Sequence, residues 1–488
     1  MRIELLLVGL PAPLFAVLVC ILARRPRICE AANLIAAAVV FACAAPLPFL
    51  IAGRTLYFWR DYVVLDPLAA WVLLCTAIVY LLSSIYSVGY MRLLGEDDRL
   101  FEYYALFAGF AFTILAGPLM NNVGIYWIAI ELTTLVSTFL VAFERAAESM
   151  EAAWKYIMVV SAGISLALLG TILFYWAGTF VLGPSYSMTW PALAAAGPRM
   201  NAPLLTLSFL LVLVGYGTKV GLAPMHSWLP DAHSESPAPV SAMLSGALLN
   251  TAMLGIVRFL RIMHGAGLGP LPQLVLVAFG VLSLLVGALF IVRQAGVKRL
   301  MAYSSIEHMG VLALGFGFGG ALGVAGALYH MLNHALNKSL MFFGAGAVMR
   351  AYDTKEMDGI RGIPRRFPLI GGLWLAGAVA ITGAPPFGLF MSEFTVMRAG
   401  LNPRFAWAVV SMALLLIVIF VGFLNHFRAM FWGVRGGAAD AAPVVLGGWF
   451  IAPMVLALAP LLVLGVWWPH EVWTYLSGIG QSLWRTAP

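Results

Sequence analysis

Charge is what this 488-residue chain has least of: Asp, Glu, Lys and Arg make up 10% of it against 62% hydrophobic residues, where an average soluble domain carries roughly 25% charged residues. With a mean hydropathy of +0.95, water is not its main solvent. Cysteine is scarce too. Cys20, Cys29, Cys43 and Cys75 show neither CxxC nor a Cys/His spacing suited to zinc or an iron–sulfur cluster, so they read as buried, inert thiols. No GxxxxGK[ST] phosphate loop and no GxGxxG after a strand occur, so ATP bound to this chain drives nothing and no cofactor is expected. Nor does any stretch look like a soluble domain, the longest polar connections being residues 183–201 and 350–366.

What is present is a succession of apolar runs, each about 20 residues and long enough to cross the hydrocarbon core as helix. They begin at Ile3 and recur almost to the C-terminus. Beta-barrel strands would be shorter and alternating. The expected fold is an all-α membrane protein of about 14 transmembrane helices. The net charge of +7 does not point to nucleic acid, because the basic residues sit in short loops rather than along one face. They act as topology signals: loops after odd-numbered helices hold roughly 16 Lys and Arg, Lys298 and Arg299 among them, the termini and other loops roughly nine. Both termini are therefore expected on the non-cytoplasmic side of the cell inner membrane, with Trp467, Trp468 and Trp473 in an outer-interface belt. The first run lacks a positive n-region and a cleavage site, and is expected to stay as a helix.

Lysine is rarer than arginine, five against 23, yet Lys219 and Lys338 fall well inside apolar runs and Lys155 near the start of another. Arginine stays protonated in proteins, whereas a buried lysine can exchange a proton. Glu131, Glu307 and Glu393 also lie within apolar runs, where a charge costs at least about 2.5 kcal/mol. Six such residues in one chain point to an ion path rather than to isolated structural pairs. Pro224, five residues after Lys219, should break that helix and free the Val220 carbonyl. Pro385 and Pro386 predict a second break before Glu393. Broken helices at membrane depth belong where backbone lines a cavity. His330, His334 and Lys338 share one helical face with Asn333 and Asn337 beside it, a stripe suited to relaying protons. No carboxylate accompanies the HxxxH on its own segment, so no metal is expected there.

Glu131 to Lys219 spans 88 residues and Glu307 to Glu393 spans 86. These residues fall on helices 5 and 7 and on helices 10 and 12, and an odd offset of five inverts the second unit. The division expected is an N-terminal three-helix segment over 1–91, inverted five-helix repeats over 101–263 (helices 4–8) and 271–433 (helices 9–13), and a C-terminal helix and tail over 447–488.

With those residues in place, the chain resembles the antiporter-like membrane subunits shared by respiratory complex I, multisubunit cation/proton antiporters and membrane-bound hydrogenases. The most specific stretch is 219–241, KVGLAPMHSWLPDAHSESPAPVS, joined by 297–305, VKRLMAYSS, and 334–340, HALNKSL. Segments 127–135 and 303–310 look closest to the F component of hydrogenase-4. The resemblance implies a glutamate on helix 5, Glu131, paired with the lysine of broken helix 7, Lys219, and an acid on helix 12, Glu393. The chain departs from the pattern at Asn250, where helix 8 often carries lysine, and Glu307 with His308 stands as the replacement. The implied function is a non-catalytic, proton-translocating subunit of a redox-driven complex. Its partners would be other membrane subunits, a soluble redox module reached through them, and the bilayer. A sodium/proton antiporter subunit and a scaffold for a partner enzyme are the rival readings.

Overall fold

The computed structural model describes residues 9–51, 53–95, 97–433 and 446–484. The start of the first apolar run at Ile3 and both chain termini lie outside the described residues. In chain order the main helices are α1 Ala12–Ala23, α2 Pro26–Ala44, α3 Pro67–Leu94, α4 Leu100–Ala116, α5 Val123–Val141 and α6 Ala147–Leu182. Next come α7 in two halves, Ala202–Val220 and Leu229–Glu235, then α8 Ala238–Gly265, α9 Pro270–Val292, α10 Val297–Phe318 and α11 Gly320–Tyr352. The chain ends with α12 in two halves, Pro368–Ile381 and Gly388–Gly400, then α13 Ala406–Trp432, α14 Gly448–Val466 and α15 His470–Trp484. Among the described residues, ten helices are long and apolar enough to cross a membrane.

Helices α10 and α11 do not reach that apolarity, because the histidines, lysines and glutamate they carry lower it. Their solution is burial inside protein. Residues 323–348 of α11 and 300–318 of α10 are buried without interruption. By contrast α13 turns Val410, Leu414 and Ile417 outward, apolar side chains at helical spacing suited to lipid. Polar helices at the centre and apolar ones outside is the arrangement that costs least in hydrocarbon.

Close helix contacts rest on residues without bulk. A Cβ on Gly215 of α7 would lie 2.4 Å from the Ala167 nitrogen of α6. One on Gly310 of α10 would lie 2.7 Å from the Gly280 carbonyl of α9. Asn122 caps α5 through Gly124 and Ile125, and Asn201 caps α7 through Leu204.

The break in α7 comes earlier than the proline suggests. Gly221, at φ +79°, stops the helix: its N–H donates to Thr218 O at 3.1 Å and that of Leu222 to Gly217 O at 2.9 Å. This double bond pattern around a left-handed glycine ends helices generally. Pro224 only keeps the segment from resuming. The second break follows the same order, with Gly383 at φ +66° ahead of Pro385 and Pro386.

Three features depart from the expected all-α outline. Leu56–Phe58 (β1) and Val63–Leu65 (β2) form a small antiparallel ribbon, closed by Trp59, Arg60 and Asp61 in positive-φ conformations. The expected C-terminal tail folds as α15, which seats Leu476, Ile479 and Leu483 against the rest of the chain. At 15 residues and polar on one face, it carries no span-length apolar signal. Of the three expected interface tryptophans only Trp467 is well exposed. Trp468 packs at a tilt against Tyr329, ring centres 4.8 Å apart, and against Trp473 at 4.9 Å.

Candidate functional site

Lys219 lies at the end of the first half of α7, two residues before Gly221, where the helix dipole favours a cation. It is fully buried. Its Nζ donates to the Thr134 hydroxyl at 2.9 Å and the Tyr156 hydroxyl at 2.8 Å. Thr134 in turn donates to Glu131 Oε2 at 3.2 Å, while Ser161 of α6 donates to Glu131 Oε1 at 2.7 Å. Ser137 and Tyr156 share a further hydrogen bond at 2.7 Å. The expected Glu131 and Lys219 pair is thus bridged by a threonine rather than in direct contact. Glu131 is half-buried, unlike the lysine it serves. Hydroxyls both donate and accept, so the bridge can pass a proton as well as a field.

The second group gathers on α10, α11 and the second half of α12. The His330, His334 and Lys338 face of α11 turns toward α10. Lys338 donates to Met301 O at 3.1 Å and to the Ser304 hydroxyl. His308 Nδ1 and His330 Nε2 are 3.1 Å apart, and the His308 and His334 rings are centred 5.4 Å apart. His330 Nδ1 meets Ser392 Oγ of α12 at 2.9 Å. Glu307 Oε1 is 3.7 Å from His308 Nδ1. Glu393 completes the group, its Oε2 packed against Gly383 in the unwound segment. Within that segment Pro385 and Pro386 are exposed while Phe387 is buried, and the segment lies directly beside the Glu393 carboxylate.

Much of this group is unsaturated. Both carboxylate oxygens of Glu307, Glu393 Oε1, His308 Nε2 and both nitrogens of His334 are buried and make no hydrogen bond within the described chain. His233, on the second half of α7, is likewise buried with both nitrogens unpartnered. Buried polar groups ordinarily find partners. Where several such atoms lie close together, bound water is their usual partner.

Helix α8 enters differently from the expected route. Asn250 donates to Gly246 O at 2.8 Å and its Oδ1 is unpartnered. It makes no hydrogen bond to Glu307 or His308. The polar link between α8 and α10 is instead Ser245 to Ser305 at 2.7 Å, from a π-helical turn over Leu244–Leu248. A lone serine in an apolar run gave no signal of this. Two lysines also exchange places with what their positions suggest. Lys155 is exposed and tied to Glu151 at 2.6 Å and Asp231 at 3.3 Å, so it belongs to a surface network. Lys298, counted among loop charges, is buried and donates to the Ser236 carbonyl.

Thr134 carries a first test. Thr134→Val keeps the shape but removes both hydrogen bonds, and bonds to charged groups are each worth about 1.5–3 kcal/mol. Transport in vesicles should fall about tenfold or more while the protein still assembles, whereas unchanged transport would remove the bridge from the path.

The comparisons with known proteins agree with this architecture. The family model described as NADH:quinone oxidoreductase/Mrp antiporter, TM, matches residues 120–466. The chain is 41% identical over 302 residues to the hydrogenase-4 component F homolog of Methylacidiphilum infernorum, covering 61% of this chain and 63% of that relative, less than two thirds of its length. It is 30% identical to the NADH-quinone oxidoreductase subunit N of Desulforudis audaxviator, covering 84% of this chain and 81% of the other. In fold it matches a chain of the membrane-bound sulfane sulfur reductase, an archaeal respiratory membrane complex, with a TM-score of 0.88 at 22% identity over 99% of this chain and 98% of that one.

Proposed function

The chain belongs to the NADH:quinone oxidoreductase/Mrp antiporter membrane family, and from that premise we propose that it is the proton-translocating subunit of a redox-driven complex of hydrogenase-4 or complex I type. The observation that carries the reading is Lys219, fully buried and held by two hydroxyls instead of a carboxylate. A lysine locked in a direct ion pair would hold its proton. One joined to Glu131 through Thr134 feels that carboxylate and still has hydroxyl neighbours that can accept from it and donate onward.

In this reading a charge arriving near Glu131 alters the field that its carboxylate exerts on Lys219 through Thr134. The change passes to the second group, where Lys338, Glu307, His308, His330 and His334 carry protons toward Glu393 and the unwound segment. The donor set favours protons over sodium. Hard cations prefer several oxygen ligands, and the buried groups here are largely nitrogens of lysine and histidine.

The finer architecture belongs to the same proposal: fourteen spans, inverted repeats over helices 4–8 and 9–13, and a chain divided at 1–91, 101–263, 271–433 and 447–488. Both termini would lie on the non-cytoplasmic side of the cell inner membrane, with other membrane subunits and a soluble redox module as partners. Similarity to the component F homolog supports a hydrogenase-4 setting.

The test is proton movement by the purified complex in sealed vesicles, driven by its own redox reaction, with sodium replaced by choline. Proton uptake should persist undiminished. Uptake that appears only when sodium is restored would establish the antiporter reading instead.

A further inference from the structure

The sequence shows HxxxH on α11 without a carboxylate on the same segment; the fold supplies one from another helix. His308 of α10, His330 of α11 and Glu393 of α12 each offer a ligand atom, and these atoms lie within 4.8 Å of one another, all three residues buried. We propose that these three residues form a binding site for a divalent transition cation of the zinc class.

The geometry argues this from the inside out. Ser392 Oγ donates its hydrogen to Leu389 O at 2.8 Å, so toward His330 Nδ1, 2.9 Å away, it presents a lone pair. His330 therefore carries its proton on Nδ1, and Nε2 is a bare lone pair. That lone pair faces His308 Nδ1 at 3.1 Å, near the edge of about 3.3 Å expected between two nitrogens bound at 2.0–2.1 Å to a tetrahedral zinc. Glu393 Oε1 is buried and unpartnered, as is His308 Nε2.

On binding, the hydrogen of His308 Nδ1 moves to Nε2 of the same ring, both imidazoles stay neutral, and a Glu393 proton, if present, is released. Two imidazoles and one carboxylate make a three-ligand zinc set with a fourth position open to water. The nitrogens select against sodium, calcium and magnesium, which prefer oxygen. Ser392 plays the part that outer partners of metal-bound histidines play elsewhere, fixing tautomer and ring orientation. The unwound segment 382–387 borders the site, its Gly383 lying against the Glu393 carboxylate.

Binding rests on these ligands alone; only its consequence, a block of the path at His330 and Glu393, rests on the transport reading. The intact complex in mild detergent is equilibrated with zinc chloride, desalted and assayed for retained zinc against a His330→Asn and a Glu393→Gln complex. About one zinc more per chain in the wild type than in either variant is expected, with imidazole scattering at the zinc absorption edge. Cobalt in its place should give the intense visible bands of a four-coordinate nitrogen and oxygen site. Ser392→Ala, which removes no ligand, should weaken binding about 10- to 100-fold, and it serves as the test if a ligand variant fails to assemble. Equal zinc in wild type and variants, or an octahedral all-oxygen spectrum, overturns the site. Zinc retention that depends on His330 supports it whether or not the vesicles pump.

Discussion

Gly383→Ala is expected to cut ion transport roughly 10- to 100-fold, the scale that a displacement of about 1 Å exacts from a positioned reacting group, while leaving the protein folded. A Cβ at this position would sit 2.0 Å from Glu393 Oε2 and 3.0 Å from its carboxyl carbon. Something must move. The atom in the way is the far end of a flexible side chain, so Glu393 swings aside and leaves the histidines behind. The backbone adds a second penalty, because φ at Gly383 is +66° and a left-handed residue with a Cβ costs about 1–2 kcal/mol. That is well inside the roughly 5–15 kcal/mol margin of a folded protein. Gly372→Ala, on the first half of the same broken helix and with nothing within 4 Å of the added Cβ, is the control and should be silent. Transport equal in both variants would show that the position of Glu393 does not matter.

The elements that could be read from sequence are those whose signal is local. Lys219, Glu307, Lys338 and Glu393 were visible because an ionisable residue inside an apolar run is costly wherever it falls. The breaks were visible because proline marks them, although glycine sets where they begin. The His330, His334 and Lys338 stripe was visible because helical period alone puts those residues on one face. What period cannot give is the rotation of one helix against the next. Thr134, Tyr156 and Ser161 are ordinary helix residues until α5, α6 and α7 are packed together, and then they are the bridge between Glu131 and Lys219.

The same limit explains the misplaced residues. Lys155 reads as membrane-embedded because its neighbours are apolar, yet its helical face turns outward to Glu151 and Asp231. Lys298 reads as a loop charge because Arg299 follows it, yet the turn that starts α10 points it inward to Ser236. Asn250 stands where a lysine is usual, while the hydrogen bond between α8 and α10 is made by Ser245, five residues earlier. Ser392 and the carboxylate of Glu393 come to the histidines only through the fold of α12, so the metal set was invisible along the chain.

The most direct test of the account is Lys219, measured as proton uptake by the reconstituted complex in sealed vesicles. Lys219→Arg keeps a positive charge but removes the ability to give up a proton, because guanidinium stays protonated in proteins; Lys219→Ala removes both. The side chain is buried against Thr134 and Tyr156, and cutting it back to alanine leaves their hydroxyls to pair with Glu131 and Ser137, which they already meet. Assembly and partner redox chemistry are therefore expected to survive in part in both variants. If Lys219 carries a proton, both abolish uptake. Uptake retained by Lys219→Arg would make the lysine a fixed charge, and uptake retained by both would make the membrane arm a scaffold, either result contradicting the proton-carrier assignment.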